Sequence, residues 1–294
     1  MIRFPRTTAA LFFILSAACA LAQTQRAGIV LVTGFDFAFT APDTIPSGAT
    51  TFRFTDKGKV SHHLIVFRLA LGTSLSDFHG KMSDGGASPP GIASMAGLQT
   101  DRGRQIPPGA SAAAHRQSEV TMVMTPGRYL LACLHDDDGM THLQKGMMRE
   151  LTVVAARSPR PAPRADATLT MSDYAYSLSR PLTQGVRTIR LANTGPQEHH
   201  VFIQRMAPGK KLSDIAAHRA ARAKERAAGV PNSLSKLKPP QIPVMGLTRM
   251  SPGEVAFITL SLQRGDYRLF CLVSDTRDGK PHTEHGMDQV ITVQ

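Results

Sequence analysis

Four residues of kinds that bind soft metals recur twice along the chain in the same order. The first set is His62, Cys133, His142 and Met147, and the second is His199, Cys271, His282 and Met287. Two imidazoles and one thiolate make a trigonal site, and a weak axial thioether completes the donor set of type 1 copper. The thiolate donates charge strongly to copper, and the thioether suits Cu(I) as well as Cu(II). Zinc has little use for Met and is the poorer match. Taken singly, a Cys on a strand is usually a small buried hydrophobe, and a Met before a last strand is usually core. Recurrence of the whole set outweighs those readings.

The recurrence belongs to a longer repeat. Residues 36–78 align without a gap onto 173–215, with Asp36-Phe37-Ala38-Phe39 answering Asp173-Tyr174-Ala175-Tyr176. Gly58, His62, His63, Arg68 and Gly72 answer Gly195, His199, His200, Arg205 and Gly209. Further on, Gly127-x-Tyr129-x-x-x-Cys133 answers Gly265-x-Tyr267-x-x-x-Cys271, and His142-x-x-x-Gly146-Met147 answers His282-x-x-x-Gly286-Met287. A repeat this long means two whole domains in tandem, not a solenoid of 20–50-residue units. The expected division is 28–155 for the first domain, 156–166 for a Pro-rich linker and 167–294 for the second. Alternating prolines at 159, 161 and 163 favour an extended, semi-rigid path.

Strand signals position the donors. TTFRFTD, HLIVFRL, VTMVM and YLLAC in the first half, and VRTIRLAN, HVFIQRM, VAFITLSL and YRLFC in the second, are short, β-rich and partly alternating. LTVV and ITVQ close the two halves. Such strands read as all-β antiparallel sandwiches. Leu212 to Ala228, rich in Ala, Arg and Lys, reads instead as a helix inserted into the second sandwich, starting after a Ser213 cap and stopping at Gly229.

The chain has 294 residues, 42% of them hydrophobic, and a formal charge of +12. That content excludes a disordered chain, and no apolar run reaches the ~18 residues of a membrane span. Arg3 and Arg6, then a mostly apolar stretch ending in Ala20-Leu21-Ala22, predict a secretory signal over 1–22 and a periplasmic or secreted protein. Export argues against nucleic acid as the basic surface's partner, and no stable membrane insertion is expected. Loss of Cys19 with the signal leaves two cysteines, and equivalent interior positions of two sandwiches rarely approach closely enough for a disulfide. Met95 and Met245 recur between the halves and read as core. His79, His115 and His218 read as surface.

These motifs resemble the cupredoxins, the blue copper proteins, over nearly all of the mature chain. The signature is an upstream His, the Gly-x-Tyr-x-x-x-Cys strand, then a His followed by Gly-Met before the last strand. The resemblance implies a Greek-key β-sandwich in each half, one copper per domain and one-electron transfer without covalent chemistry. His62 and His199 match the upstream ligands, Cys133 and Cys271 the thiolates, His142 and His282 the second imidazoles, and Met147 and Met287 the axial ligands. Two features depart from the pattern. The Cys–His loops, Leu134 to Thr141 and Leu272 to Pro281, are longer than in familiar members. His63 and His200 follow the upstream ligands where the family often has Asn, a residue that helps hold the ligand loop. Either could compete for metal, and His135 is an alternative to His142.

The chain has no His-x-His, the motif of the multicopper oxidases' oxygen-reducing cluster, and no nucleophile elbow, P-loop or dinucleotide fingerprint. The expectation is a non-enzymatic electron carrier with a redox partner protein. Lys210, Lys211, Arg219, Arg222, Lys224 and Arg226 offer that partner a basic face if it is acidic. A copper-delivering protein without redox turnover and a metal-free interaction module are the alternatives.

Overall fold

The fold is that of a computed structural model, which describes residues 28–73, 92–99, 117–135, 139–230 and 235–294. The leader read at 1–22, with His79 and His115, lies outside the described residues, as does the side chain of Met95. The first half supplies nine strands: β1 (Ile29–Phe35), β2 (Ala38–Thr40), β3 (Thr44–Pro46), β4 (Gly48–Asp56), β5 (His63–Leu69), β6 (Ile92–Gln99), β7 (Gln117–Met124), β8 (Gly127–Ala132) and β9 (Met148–Val154). The second supplies β10 (Ala167–Ser172), β11 (Ala175–Leu178), β12 (Gly185–Asn193), β13 (His199–Met206), helix α1 (Leu212–Ala227), β14 (Gln241–Met250), β15 (Val255–Leu262), β16 (Gly265–Phe270) and β17 (Asp288–Val293). The architecture is therefore all-β with one inserted helix among the described residues, as the strand patterning predicts.

Patterning decides where each strand sits. In β1 and β4 buried and part-exposed positions alternate, so one face turns inward. Phe52 and Phe54 of β4 are fully buried, each stabilising the core by roughly 1.5–3 kcal/mol. Strand β5 is buried at nearly every position, because its second face carries a further cluster of Ile65, Phe67, Leu69, Leu130 and Leu143. Its continuous apolar run HLIVFRL is the sequence mark of a strand covered on both sides.

The Gly-x-Tyr motif braces the strands that carry the cysteines. Gly127 and Gly265 adopt φ +153 and +130, where a side chain is strained. Tyr129 then donates its hydroxyl to the Thr125 carbonyl (2.9 Å), and Tyr267 to that of Gln263 (3.0 Å). Each ring thus pins the start of β8 or β16 and fixes where Cys133 or Cys271 arrives at the far end.

Both sheets run through both halves. One has the order β11-β10-β12-β15-β7-β4-β1-β2, and the other β17-β16-β13-β14-β6-β5-β8-β9-β3. The joins are β7 with β15 and β6 with β14, both antiparallel and each between counterparts in the repeat. Leu98 faces Leu247 across the second join, and the Gly-Leu pair is common to both strands. Such pairing relates the halves by a pseudo-two-fold axis and removes four sheet edges. Three antiparallel steps separate β5 from β13, so these strands run oppositely, and His63 stands level with Phe202 through Gln99 and Gly246.

Helix α1 begins two residues earlier than the Ser213 cap predicts. The Asp214 carboxylate accepts a hydrogen bond from the Lys211 N–H (2.8 Å), so Lys211 takes the cap position. Arg222 is buried and paired with Glu225, which removes it from the basic face expected of this helix. His218 is half-buried rather than on the surface. Met245 packs against the core as expected.

Candidate metal centres

Three donor atoms converge in each half. His62 and His142 approach through their Nδ1 atoms at 3.0 Å, and Cys133 Sγ lies 3.6 Å from His142 Nδ1. In the second half His199 and His282 approach at 3.1 Å, with Cys271 Sγ 3.5 Å from His282 Nδ1. All six residues are fully buried. The cysteines are free thiols, as expected of interior positions in separate halves.

Local backbone explains the convergence despite the long loops. His142 N–H donates to the His135 carbonyl and Leu143 N–H to that of Cys133, both at 2.8 Å. In the second half His282 N–H donates to Val273 and Thr283 N–H to Cys271. The loops therefore fold back at once, returning the second His beside the Cys. The next hydrogen bonds enlist the methionines: Cys133 N–H donates to the Met147 carbonyl (3.2 Å) and Cys271 N–H to that of Met287 (3.0 Å). Both Met side chains are fully buried. The backbone N–H of His63 and of His200 points at the cysteine sulfur, at 3.2 and 3.4 Å.

A carboxylate orients the upstream imidazole in each half. His62 Nε2 lies 3.3 Å from Asp36 Oδ1, and His199 Nε2 lies 2.7 Å from Asp173 Oδ1. A proton on Nε2 donated to the carboxylate leaves the Nδ1 lone pair aimed inward, the tautomer a metal ligand needs. Gly58 and Gly195 press against these pairs: a Cβ at Gly195 would stand 2.8 Å from both Asp173 Oδ1 and His199 Nε2, and one at Gly58 would overlap the His62 ring. Both glycines and both aspartates recur in the repeat, and that recurrence is the sequence signal for a role that motif reasoning left unassigned.

Electrostatics suit neutral nitrogen donors. Burial pulls His62, His199 and His282 below the ordinary imidazole value, against the upward pull of nearby carboxylates. Burial pushes the Cys271 thiol up to about 11, so a metal would have to displace its proton. Two nitrogens and a sulfur bound to one small ion at trigonal angles stand roughly 3.5–3.7 Å apart, given bonds of about 2.0 and 2.3 Å. The observed 3.0–3.6 Å needs only a slight spreading. His282 Nε2 is a buried polar atom without a hydrogen-bond partner, 4.0 Å from Asp275 Oδ2. The donors fit a soft, low-coordinate metal.

The other histidines fall into place beside these sites. His200 Nε2 accepts the Leu272 N–H at 2.6 Å, and burial takes this imidazole down to about 3. It holds the ligand loop just after Cys271 instead of competing for metal. His135 packs edge-on against both His63 and His142, with ring centroids 5.2 Å apart in each case. His142, not His135, is the imidazole brought to Cys133 Sγ. In the second half Gln197, Tyr174, Asp275 and Arg277 tie the ligand loop together, a set that sequence reasoning missed. Gln197 Nε2 donates to Asp173 (3.0 Å) and Asp275 (3.1 Å), while Tyr174 and Arg277 also bond to Asp275. Neutral or unlike counterparts (Val60 for Gln197, Phe37 for Tyr174) hid this set from the repeat.

No protein-family profile and no curated protein matches the chain. Solved structures do. Dithionite-reduced auracyanin from Roseiflexus castenholzii is 24% identical, covering 43% of this chain and 94% of its own, at a TM-score of 0.26. A multicopper oxidase is 13% identical over 90% of this chain and 88% of its own, at 0.23. The copper nitrite reductase of Nitrosomonas europaea is 14% identical over 90% and 93%, also at 0.23. Similarity at this level does not bear on substrate or reaction. The expectation of a non-enzymatic protein is nonetheless withdrawn, since the structures matched over 90% of the chain include an oxidase and a reductase. The missing His-x-His speaks to one kind of oxygen-reducing cluster and cannot exclude catalysis at large.

Proposed function

We propose that the chain binds copper at both clusters and passes single electrons through them, outside the cytoplasm. The supporting observation is the twofold convergence of two Nδ1 atoms and one Sγ in a fully buried pocket, each upstream imidazole oriented by an aspartate. His62, Cys133 and His142 would hold one ion and His199, Cys271 and His282 the other, with Met147 and Met287 as weak thioether donors. A type 1 copper supplies reversible one-electron chemistry. The chain's part is to exclude water, hold His62, His199 and His282 neutral and fix the donors from several strands, so that little rearranges when charge changes. Among the described residues no helix is long and apolar enough to cross a membrane. The expected partner is a redox protein, acidic if it docks on the exposed residues Lys210, Lys211, Arg219, Lys224 and Arg226.

The visible sulfur-to-copper band is the test, because it requires direct ligation by thiolate. Protein loaded with Cu(II) should bind two ions and turn intensely blue or green. Cys133→Ser should remove one site's share of the band and Cys271→Ser the other's, additively. A colourless copper-loaded protein, or a Cys→Ser variant with the full band, refutes the assignment at that site. A coloured protein that yields its copper at once to a chelator would point to delivery rather than electron transfer.

A further inference from the structure

The two clusters are alike in their donors and unlike in the charge around them. Strand β4 ends at Asp56, whose side chain is 3% exposed and lies 4.0 Å from His62 Nε2. It accepts hydrogen bonds from the N–H groups of Gly58 (3.0 Å) and His62 (3.1 Å). The counterpart at the end of β12 is Asn193, equally buried but neutral. Asn193 keeps the bond from the glycine N–H (Gly195, 3.0 Å) and gives its amide to the carbonyls of Gln197 (2.8 Å) and Met250 (2.9 Å). At this position the first half thus carries a buried carboxylate and the second a neutral amide.

Two further contrasts have the same sign. The second site has a buried carboxylate of its own, Asp275, 4.0 Å from His282 Nε2, but Arg277, though largely exposed, is in direct contact with it at 3.2 Å. In sequence the first ligand loop, Leu134 to Thr141, carries Asp136, Asp137 and Asp138 and no Lys or Arg, whereas Leu272 to Pro281 balances Asp275 and Asp278 with Arg277 and Lys280. Of the opposing charges in the first half, Lys57 and Lys59 are exposed and screened by water, and Lys145, half-buried, stands over the Phe37 ring.

We infer that the two copper sites are poised unequally, with Asp56 holding the first at the lower reduction potential so that an electron given to the chain settles on the second. The inference rests on the copper reading above. Fixed negative charge in a dry setting favours the more positive oxidation state of the ion. At the distance set by one imidazole, a single uncompensated charge at an effective dielectric of about 20 favours one site over the other by at least about tenfold. The transfer forms and breaks no covalent bond: an external one-electron donor reduces Cu(II) to Cu(I) at the second site. Asp56 acts through the His62 environment and is a positioning residue, not a ligand.

The experiment is a spectroelectrochemical titration, with ascorbate and ferricyanide as the redox couples, of copper-loaded Cys271→Ser and Cys133→Ser proteins, which each keep one site. The Cys271→Ser protein should have the lower potential. Asp56→Asn within it should move that potential up toward the other while the band keeps its intensity and position. The reverse change, Asn193→Asp, would face two carbonyls and is a poor probe. Equal potentials, a higher one at the first site, or an unmoved potential in Asp56→Asn with its band intact overturns the inference and leaves the copper reading standing. Absence of any band sinks both. The two single-site proteins decide the order even if Asp56→Asn fails to fold.

Discussion

The first site is walled by apolar and aromatic groups where the second is tied by polar ones. Phe37, itself at a left-handed φ of +63, lies edge-on to His142 with centroids 5.1 Å apart, and Lys145 stands over its outer face. Tyr174 holds the same place against His282 at 5.3 Å, but its hydroxyl reaches Asp275, and Gln197 ties Asp275 to Asp173. The donors repeat and the walls do not. Identical ligand triads can therefore sit in one chain with different charge, different loop restraint and different access. The repeat keeps the donor set and varies what surrounds it.

The largest break in this comparison should come from the glycines. Gly58→Ala drives a methyl group into the His62 ring and should cost about 1–3 kcal/mol while abolishing the first site's band and sparing the second. Gly195→Ala should do the reverse, and loss of both bands from either variant would show that the sites are not independent. A mid-sized effect concerns pH. His200 titrates near 3 in the folded chain but near 6.5 when unfolded, so the unfolded state takes up the proton first on acidification. Metal-free protein should lose roughly 1.4 kcal/mol of stability per pH unit as pH falls from about 6.5 toward 3. Above 6.5 this contribution is fully present. His200→Asn should flatten that slope in urea titrations, and an unchanged slope would assign it elsewhere. The smallest change is Tyr174→Phe, which makes the second wall resemble the first. Chelator-driven copper loss from the second site should quicken on the order of tenfold, the worth of one hydrogen bond to a charged group, and that from the first should not move.

The donors were legible because metal ligation demands fixed residue types in fixed order, and the repeat printed that order twice. Strands such as β5 and β15 were legible for the same kind of reason: their apolar runs are unbroken by Gly or Pro. The strands that join the halves were not. β6 contains Gly97, and β14 contains Pro243 and Gly246, so neither carries a clean period of two. Their identity as strands comes from pairing with each other, a tertiary fact that local propensity cannot hold. Asp36 and Asp173 stood at the head of the aligned segment, but an aspartate lying 26 residues before a histidine has no local reading until the chain folds back. The loop ties were hidden for the opposite reason, since Gln197 and Arg277 occur in one half only.

The join between β6 and β14 also sets an order of events for a chain made from its N-terminus. The first half is complete through β9 before β14 and β15 exist, so for a time β6 and β7 offer open ladders to whatever is nearby. Because Leu98 meets its own counterpart, Leu247, the waiting edge is close to self-complementary. Two unfinished chains could satisfy each other as each later satisfies itself. Closing the long loop within one chain is the slow, non-local step, but once β14 begins to form, its tether keeps it at an effective concentration that no second molecule matches. What the native fold uses as a seam is, during synthesis, a race between a chain and its neighbour.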